Sequence, residues 1–192
     1  MTFLDLVSAR QSCRAYRPTP VSRAAIERCC EAARLAPSAC NSQPWSFIVV
    51  DDPAHHARVA AAAFSGVYST FAFAAQAPVL IVVETLRSTY AAALGGLWRG
   101  VSYNLIDLGI ACEHFVLQAT EEGLGTCWIG WFNARGVKKA LGLPRRTRLD
   151  ILISMGYPAD TTIRVKQRKS LDTLRRYAGD VSTTTAGSVA SP

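Results

Sequence analysis

The sequence predicts a single domain of the class in which helices and strands mix irregularly along the chain. Three observations lead to this class: segments with helical spacing of apolar residues, short β-branched runs typical of strands, and no regular βαβ alternation between them. Hydrophobic residues make up 49% of the 192 positions and charged residues 18%, which is typical of a globular chain and argues against disorder. We expect one domain over residues 1–180 and a disordered tail over 181–192, where only Ser, Thr, Ala, Gly, Val and Pro occur.

In the first half of the chain, the residue patterns predict three helices and two strands. The first helix starts from a capping-box pattern of Thr2 and Asp5, and the second starts from the capping residue Ser22. The apolar runs at 47–50 and 78–83 are predicted strands, and the continuous β-branched composition of the second predicts a central strand that is buried on both faces. The predicted helices span about 3–10, 22–35 and 51–63.

The second half of the chain predicts the longest helix, over about 97–122. Its apolar residues recur at intervals of three and four, and a second apolar set covers another face, which predicts packing against a partner subunit. The first set is Val101, Leu105, Leu108, Cys112, Phe115 and Ala119, and the second is Tyr103, Ile106, Ile110 and Leu117. The remaining predicted elements are strands at 126–132 and 149–155, a helix at 134–141 capped by Asn133, and a short helix near 170–177.

Composition and motifs exclude several classes of function. The net charge of +7 suits a dianionic cofactor or substrate, and the basic residues are scattered without interleaved aromatic residues, so no nucleic-acid partner is expected. No apolar run approaches the roughly 20 residues of a membrane-spanning helix, and the first residues lack the basic start of a secretory signal. We therefore expect a soluble cytoplasmic protein without a membrane partner.

Cysteine and histidine spacing indicates no metal site. The six cysteines form no C-x-x-C pair, and the histidines at 55, 56 and 114 lack the spacing of metal ligands. Reduced, mostly buried thiols are expected. Hydrolase and metalloprotease motifs of the G-x-S-x-G and H-E-x-x-H type are absent from the sequence, and so are G-x-G-x-x-G and Walker A patterns.

Two segments carry side chains suited to binding. Residues 10–16 read R-Q-S-C-R-A-Y, and two arginines four apart with a hydroxyl between them can converge on one anion. Residues 36–47 read A-P-S-A-C-N-S-Q-P-W-S-F, a loop rich in side-chain donors and acceptors between two prolines. Taken alone, the first is also compatible with a solvated basic turn and the second with an ordinary helix-to-strand connection. Residues 64–77 contain four aromatic residues that could form a lid over a ligand, although core packing is favoured.

Two further segments matter together with these: G-L-G-T-C-W-I-G at 123–130, and S-M-G-Y-P with the basic residues that follow it at 154–169. In this order, the four segments resemble those of the FMN-dependent nitroreductase family. The likeness spans about residues 3–177. It implies an α+β fold with a mixed central β-sheet flanked by helices, an intertwined homodimer, and FMN in each of two interface clefts. Residues 64–99, which would shape the entrance to the substrate site, match no motif of the family. The resemblance therefore does not indicate which electron acceptor the protein uses.

The resemblance also implies which residues bind FMN. One group would hold the phosphate and ribityl chain, a second would approach the flavin from the opposite subunit, and a third would bring backbone close to the isoalloxazine ring. These groups are Arg10, Ser12, Arg14, Arg168 and Lys169; Pro37, Ser38 and Asn41; and Ile129 and Gly130.

Because the flavin carries the redox chemistry, no catalytic side chain is predicted. The hypothesis is an oxidoreductase with a ping-pong mechanism, in which NAD(P)H reduces FMN at N5 and a small-molecule electron acceptor, such as a nitroaromatic, a quinone or another conjugated compound, then takes the electrons. Three alternatives stay open: flavin fragmentation or reductive dehalogenation in the same fold, a non-enzymatic FMN-binding protein, and a basic nucleic-acid-binding protein.

Overall fold

The computed structural model describes residues 1–87 and 96–178 and confirms the α+β class. Two stretches of 3₁₀ helix, Ala39–Asn41 and Gly66–Gln76, and a helical turn at 96–99 accompany the main elements. The helices are α1 (Phe3–Ala9), α2 (Arg23–Arg34), α3 (Pro53–Ala63), α4 (Tyr103–Glu121), α5 (Ala134–Ala140) and α6 (Leu171–Leu174). The strands are β1 (Trp45–Val50), β2 (Val79–Thr85), β3 (Gly125–Ile129) and β4 (Leu149–Gly156).

The four strands form one sheet in the order β1-β2-β4-β3, and each neighbouring pair is antiparallel. The four-stranded sheet is thus antiparallel rather than mixed, and an isolated parallel bridge joins Ser12 to Thr126 at the free edge of β3. Strands β1 and β3 lie at opposite edges, three strand spacings or about 14 Å apart. Segments next to these two strands therefore lie on different sides of the molecule.

The predicted central strand is confirmed, because β2 is buried on both faces. Its residues Val79, Ile81 and Val83 face one hydrophobic cluster with α2 and α4, and Leu80 and Val82 face another with α3 and α5. Alternation of side chains across a strand distributes one apolar run between the two layers. Two core layers thus hold the sheet between helices.

Most predicted helix starts are confirmed by their caps. Thr2 and Asp5 form a complete capping box, and the side chains of Ser22, Asp52 and Asn133 each accept a hydrogen bond from the first turn of a helix. The prediction for the longest helix was wrong at its start: α4 begins at Tyr103 rather than near 97. Gly100 has φ of 64°, a left-handed conformation that ends the turn at 96–99 and separates it from α4.

Three further expectations concern aromatic residues, thiols and the tail. Phe64 is buried and Phe71 packs on Phe73 with ring centroids 6.2 Å apart, so the favoured core packing is confirmed there. All six cysteines are free thiols, and Cys40 is exposed while four others are buried. The predicted tail over 181–192 lies outside the described residues. Within 1–87 and 96–178, no helix has the length and apolarity needed to cross a membrane.

Candidate functional site

The segment 10–17 is bound along the free edge of the sheet. The backbone N–H of Cys13 donates to the Thr126 carbonyl at 2.8 Å, and that of Arg17 donates to the Tyr157 carbonyl at 2.8 Å. The segment therefore follows β3 and then crosses the end of β4. This path places the side chains of Arg10, Ser12 and Arg14 at an open sheet edge.

Residues 158–168, here named the C-terminal strap, lie across this segment. The amide of Gln11 holds the strap on both sides: its Nε2 donates to the Thr162 carbonyl at 2.8 Å, and its Oε1 accepts from the backbone N–H of Arg164 at 3.2 Å. Arg164 Nη2 donates to the Ser12 carbonyl at 2.6 Å, and Lys166 Nζ donates to the Ser8 carbonyl. The two ends of the chain are thus joined into one surface.

The two segments line an open surface cavity of about 320 Å³, here named the basic cavity. It is lined by Arg10, Gln11, Ser12, Arg14, Arg164, Val165, Lys166, Gln167 and Arg168. Of its five cationic side chains, Arg10 has a carboxylate nearby, with its Nε 3.9 Å from Glu113 Oε1. In the part of the chain that the structure describes, no carboxylate lies within 4.0 Å of the other four. Such an uncompensated cluster attracts an anion of more than one charge.

Two titratable groups respond to this environment. Partial burial, followed by repulsion from Arg10, Arg168 and Arg164, holds the pKa of Lys166 below its usual value. Burial raises the pKa of Glu113, against the opposing effect of Arg10. The positive neighbours of Lys166 contribute to its lowered pKa, and an anion bound in the cavity would favour its charged form.

The structure brings together Arg10, Ser12, Arg14 and Arg168 of the predicted phosphate group. The predicted neighbour Lys169 does not line the cavity, whereas Arg164, Lys166 and Gln11 do and were not predicted as site residues. A signal for two of them exists in the sequence. Positions 164, 166 and 168 are all basic, and in an extended segment alternate residues share one face.

The loop at 36–44 adopts an unusual backbone conformation. Cys40, Asn41 and Gln43 have φ of 52°, 52° and 43°, and a left-handed conformation costs roughly 1–2 kcal/mol for a residue with a side chain. Hydrogen bonds within the loop offset part of this cost: the Gln43 N–H donates to Ser38 Oγ at 2.9 Å, and Gln43 Nε2 donates to Asn41 Oδ1 at 3.0 Å. Backbone strain of this kind concentrates at functional sites.

Within one chain the loop and the basic cavity do not meet. The loop leads into β1, at the edge of the sheet opposite to β3 and the segment 10–17. None of Pro37, Ser38 and Asn41 lines the basic cavity. This separation is what the expected contribution from a second subunit requires.

Ile129 and Gly130 lie where β3 ends. Ile129 is fully buried beneath the sheet surface, whereas Gly130 is exposed. A Cβ atom built on Gly130 would have no heavy atom of the chain within 4 Å. The backbone at this position is thus open to a flat ligand above the sheet edge.

An α+β domain with a polycationic cavity at its sheet edge is suited to hold a phosphorylated cofactor. The chain belongs to the Nitroreductase family, whose family model matches residues 7–157. It is therefore an oxidoreductase of the nitroreductase type.

Three comparisons illustrate the range of similar proteins. The solved FMN-dependent nitroreductase from Clostridium difficile R20291 is 25% identical, with a TM-score of 0.65 and coverage of 89% of this chain and 94% of that one. An NADH dehydrogenase from Thermus thermophilus is 29% identical over 183 residues, covering 79% of this chain and 84% of the relative. Iodotyrosine deiodinase 1 from Rattus norvegicus is 26% identical over 193 residues, covering 88% of this chain and 67% of the relative.

Proposed function

We propose that the protein is a homodimeric, FMN-dependent oxidoreductase that takes electrons from NAD(P)H and passes them to a nitroaromatic, a quinone or another conjugated acceptor. The observation that carries this proposal is the basic cavity, in which five cations converge from both ends of the chain on a space of about 320 Å³. An FMN phosphate carries nearly two negative charges and three acceptor oxygens, and this residue set fits it.

The roles of the cavity residues follow from their chemistry. The guanidinium groups of Arg10, Arg14 and Arg168 can each offer two parallel N–H donors to phosphate oxygens, and Lys166 adds a point charge. Arg164 is already bonded to the Ser12 carbonyl, so its role is to fix the strap as well as to add charge. Bound FMN supplies the redox chemistry, and the protein supplies its position and electrostatic environment.

A homodimer completes the proposed site. Pro37, Ser38 and Asn41 do not line the basic cavity of their own chain, and a second copy would bring its loop to the flavin. Exposed apolar residues on α4 support an interface there, since Leu105 is 39% and Ile106 52% exposed. Size-exclusion chromatography with light scattering would test this part, and a monomer that retains FMN would contradict it.

The experiment that tests the function is an absorbance spectrum of the purified protein, followed by anaerobic addition of NADH and then NADPH. We expect a flavin band that is bleached by at least one of the two nucleotides and restored by an acceptor. A band that neither nucleotide bleaches would favour a non-enzymatic FMN-binding protein. Failure to bind added FMN would refute the proposal.

Location in the cytoplasm remains a prediction, which fractionation of the source cells would test.

A second candidate function is reductive dehalogenation, and the similarity to iodotyrosine deiodinase 1 over 88% of this chain favours it. In that reaction two electrons from the reduced cofactor and a proton replace a carbon–halogen bond by a carbon–hydrogen bond, and halide leaves. The two functions differ in their products. The reduced protein should therefore be mixed anaerobically with a nitroaromatic or with a halogenated phenol, and nitro-group reduction compared with halide release.

A further inference from the structure

A buried carboxylate on α4 contacts the loop at 36–44. Asp107 is 3% exposed, and its Oδ1 accepts a hydrogen bond from the Ala39 N–H at 3.1 Å. Its Oδ2 is also buried but has no hydrogen-bond partner among the described residues. Because a buried carboxylate is costly unless its oxygens are bonded, its presence in an otherwise apolar part of α4 needs an explanation.

The Ala39 N–H opens the short 3₁₀ turn Ala39–Asn41. The first N–H groups of a helical turn have no partner within the turn and are usually bonded by the side chain of the preceding residue. Here that residue, Ser38, makes no such bond, because its hydroxyl accepts from Gln43 instead. Asp107 thus acts as the cap of this turn, although it belongs to a helix 68 positions further along the chain.

The position of the loop relative to the core depends on this contact. Most other hydrogen bonds of residues 38–43 stay within the loop, such as Asn41 N–H to the Ser38 carbonyl at 3.0 Å, and the Gln43 carbonyl accepts from the adjoining Trp45 N–H at 2.9 Å. They define the shape of the loop but not its orientation. Within the described ranges, Asp107 is the residue distant in sequence that is bonded to 38–43, while Pro44 at the end of the loop accepts from the Leu86 N–H at 3.0 Å.

The free oxygen of Asp107 matches a free donor in the turn. The backbone N–H of Cys40, next to that of Ala39, has no acceptor in the part of the chain described here. A carboxylate can accept from two successive N–H groups, one at each oxygen. A small movement of the loop would let Oδ2 bind the second amide.

We propose that Asp107 is a positioning residue of the flavin site, which holds Ser38 and Asn41 in the orientation that meets the flavin of the second subunit and caps both Ala39 and Cys40 when the cofactor is bound. The role assigned to Asp107 in cofactor binding rests on the proposed function. Its physical basis, the tether between α4 and the loop, can be tested without the cofactor.

Three variants separate this role from a general loss of stability. Asp107→Leu removes both acceptors and keeps the branched arrangement of four side-chain atoms, and Asp107→Asn keeps one acceptor but replaces the other by a donor. Leu108→Ala is the matched control, because it weakens the buried packing of α4 one residue away and leaves the carboxylate in place. All measurements are made where circular dichroism shows each variant to be folded.

The first measurement is hydrogen–deuterium exchange of the full-length, cofactor-free protein. We expect peptides from 36–44 to exchange about tenfold faster in Asp107→Leu, less so in Asp107→Asn, and at the wild-type rate in Leu108→Ala. The exposed thiol of Cys40 gives a second readout, and its labelling rate should follow the same order. Unchanged exchange in folded Asp107→Leu would overturn the tether.

The second measurement is the affinity for FMN by quenching of flavin fluorescence. We expect about tenfold weaker binding in Asp107→Leu, partial recovery in Asp107→Asn, and a change of no more than about twofold in Leu108→Ala. Equal affinity of wild type and Asp107→Leu would overturn the positioning role even if the tether exists. If the wild type itself fails to bind FMN, the proposed function fails, while the exchange experiment still decides on the tether.

Discussion

The hydroxyl of Tyr16 lies 2.8 Å from Ser154 Oγ, and both side chains are buried. The same hydroxyl donates to the Cys13 carbonyl at 2.8 Å, so the Ser154 hydroxyl is the donor in the bond between the two side chains. Burial raises the pKa of Tyr16 well above its ordinary value, which keeps this donor intact. The pair attaches the segment 10–17 to β4 and so supports the basic cavity from behind.

Replacing Tyr16 by Phe should lower the free energy of unfolding by about 1–3 kcal/mol, because the buried Cys13 carbonyl and Ser154 hydroxyl lose their partner. Urea denaturation of Tyr16→Phe, Ser154→Ala and the double variant would measure this. The two single effects should not be additive, since the residues share one bond. Strictly additive effects would show that the hydroxyl pair is not a stabilising unit.

Replacing Arg14 and Arg168 together by Gln should remove most FMN binding. Each bond from a guanidinium to a phosphate contributes about 1.5–3 kcal/mol, or roughly 10- to 100-fold in affinity. Fluorescence titration with FMN and with riboflavin, which lacks the phosphate, would separate loss of phosphate recognition from general damage. The loss should be confined to FMN. The exposed Arg58→Gln on α3 is the matched control and should retain wild-type affinity for both.

Replacing Gln11 by Leu should loosen the C-terminal strap and weaken FMN binding, although Gln11 carries no charge. The change removes its bonds to Thr162 and Arg164, and the strap then holds Lys166 and Arg168 less firmly in the cavity. Gln11→Glu keeps the acceptor for Arg164, but it cannot donate to the Thr162 carbonyl and adds a negative charge to the cavity, so its affinity for FMN should also fall below that of wild type. Titration with FMN measures both losses. Wild-type affinity in Gln11→Leu would show that the strap is held by other contacts.

Gly125, the first residue of β3, and Gly130, which follows its last residue, should respond differently to replacement by alanine. A Cβ at Gly125 would lie 2.7 Å from the Cβ and Sγ of Cys13, so Gly125→Ala should destabilise the fold by about 1–3 kcal/mol. Gly130 has open space, so Gly130→Ala should leave the stability of the cofactor-free protein nearly unchanged but weaken FMN binding, if the ring lies there. Thermal unfolding and FMN titration of both variants would check the contrast. Unimpaired FMN binding by Gly130→Ala would place the ring elsewhere.

Lys166 should make FMN binding sensitive to alkaline pH. Its pKa is lowered in the free protein by partial burial and by its arginine neighbours, and a bound phosphate would raise that pKa. Affinity is therefore full below the pKa of the free protein and declines as pH rises through it. In Lys166→Arg the side chain stays charged, and the decline should move to higher pH. If FMN affinity has the same pH dependence in wild type and Lys166→Arg, Lys166 is not part of the phosphate site.

The fold could be predicted from local patterns where those patterns were unambiguous. The β-branched run of β2 and the caps at Thr2, Ser22 and Asn133 were sufficient to predict central burial and helix starts. The start of α4 could not be predicted correctly, because apolar residues recur at helical intervals on both sides of Gly100. The left-handed backbone at Gly100 interrupts the helix there. The strand order also could not be derived from the sequence, since it depends on long-range pairing.

The candidate site was only partly predictable. Motif residues with obvious charge, such as Arg10, Arg14 and Arg168, converge in the structure. Gln11 and Asp107 were missed because their importance comes from what they contact across 151 and 68 positions of sequence. A signal for Asp107 was present, since it is the one acidic residue between Tyr103 and Cys112 in an otherwise mostly apolar helix. Such a carboxylate needs a partner, but the sequence does not say which.

The joining of residues 10–14 to the C-terminal strap has a consequence for synthesis of the protein on the ribosome. The cavity residues at 10–14 are synthesised early, but Arg164 follows Gln11 only after 153 positions, and Lys166 and Arg168 come later still. A nascent chain can therefore form much of its sheet before it can recognise a phosphate. If the proposed cofactor site is correct, cofactor loading follows the synthesis of the strap, and a chain that ends before residue 164 should not bind the cofactor.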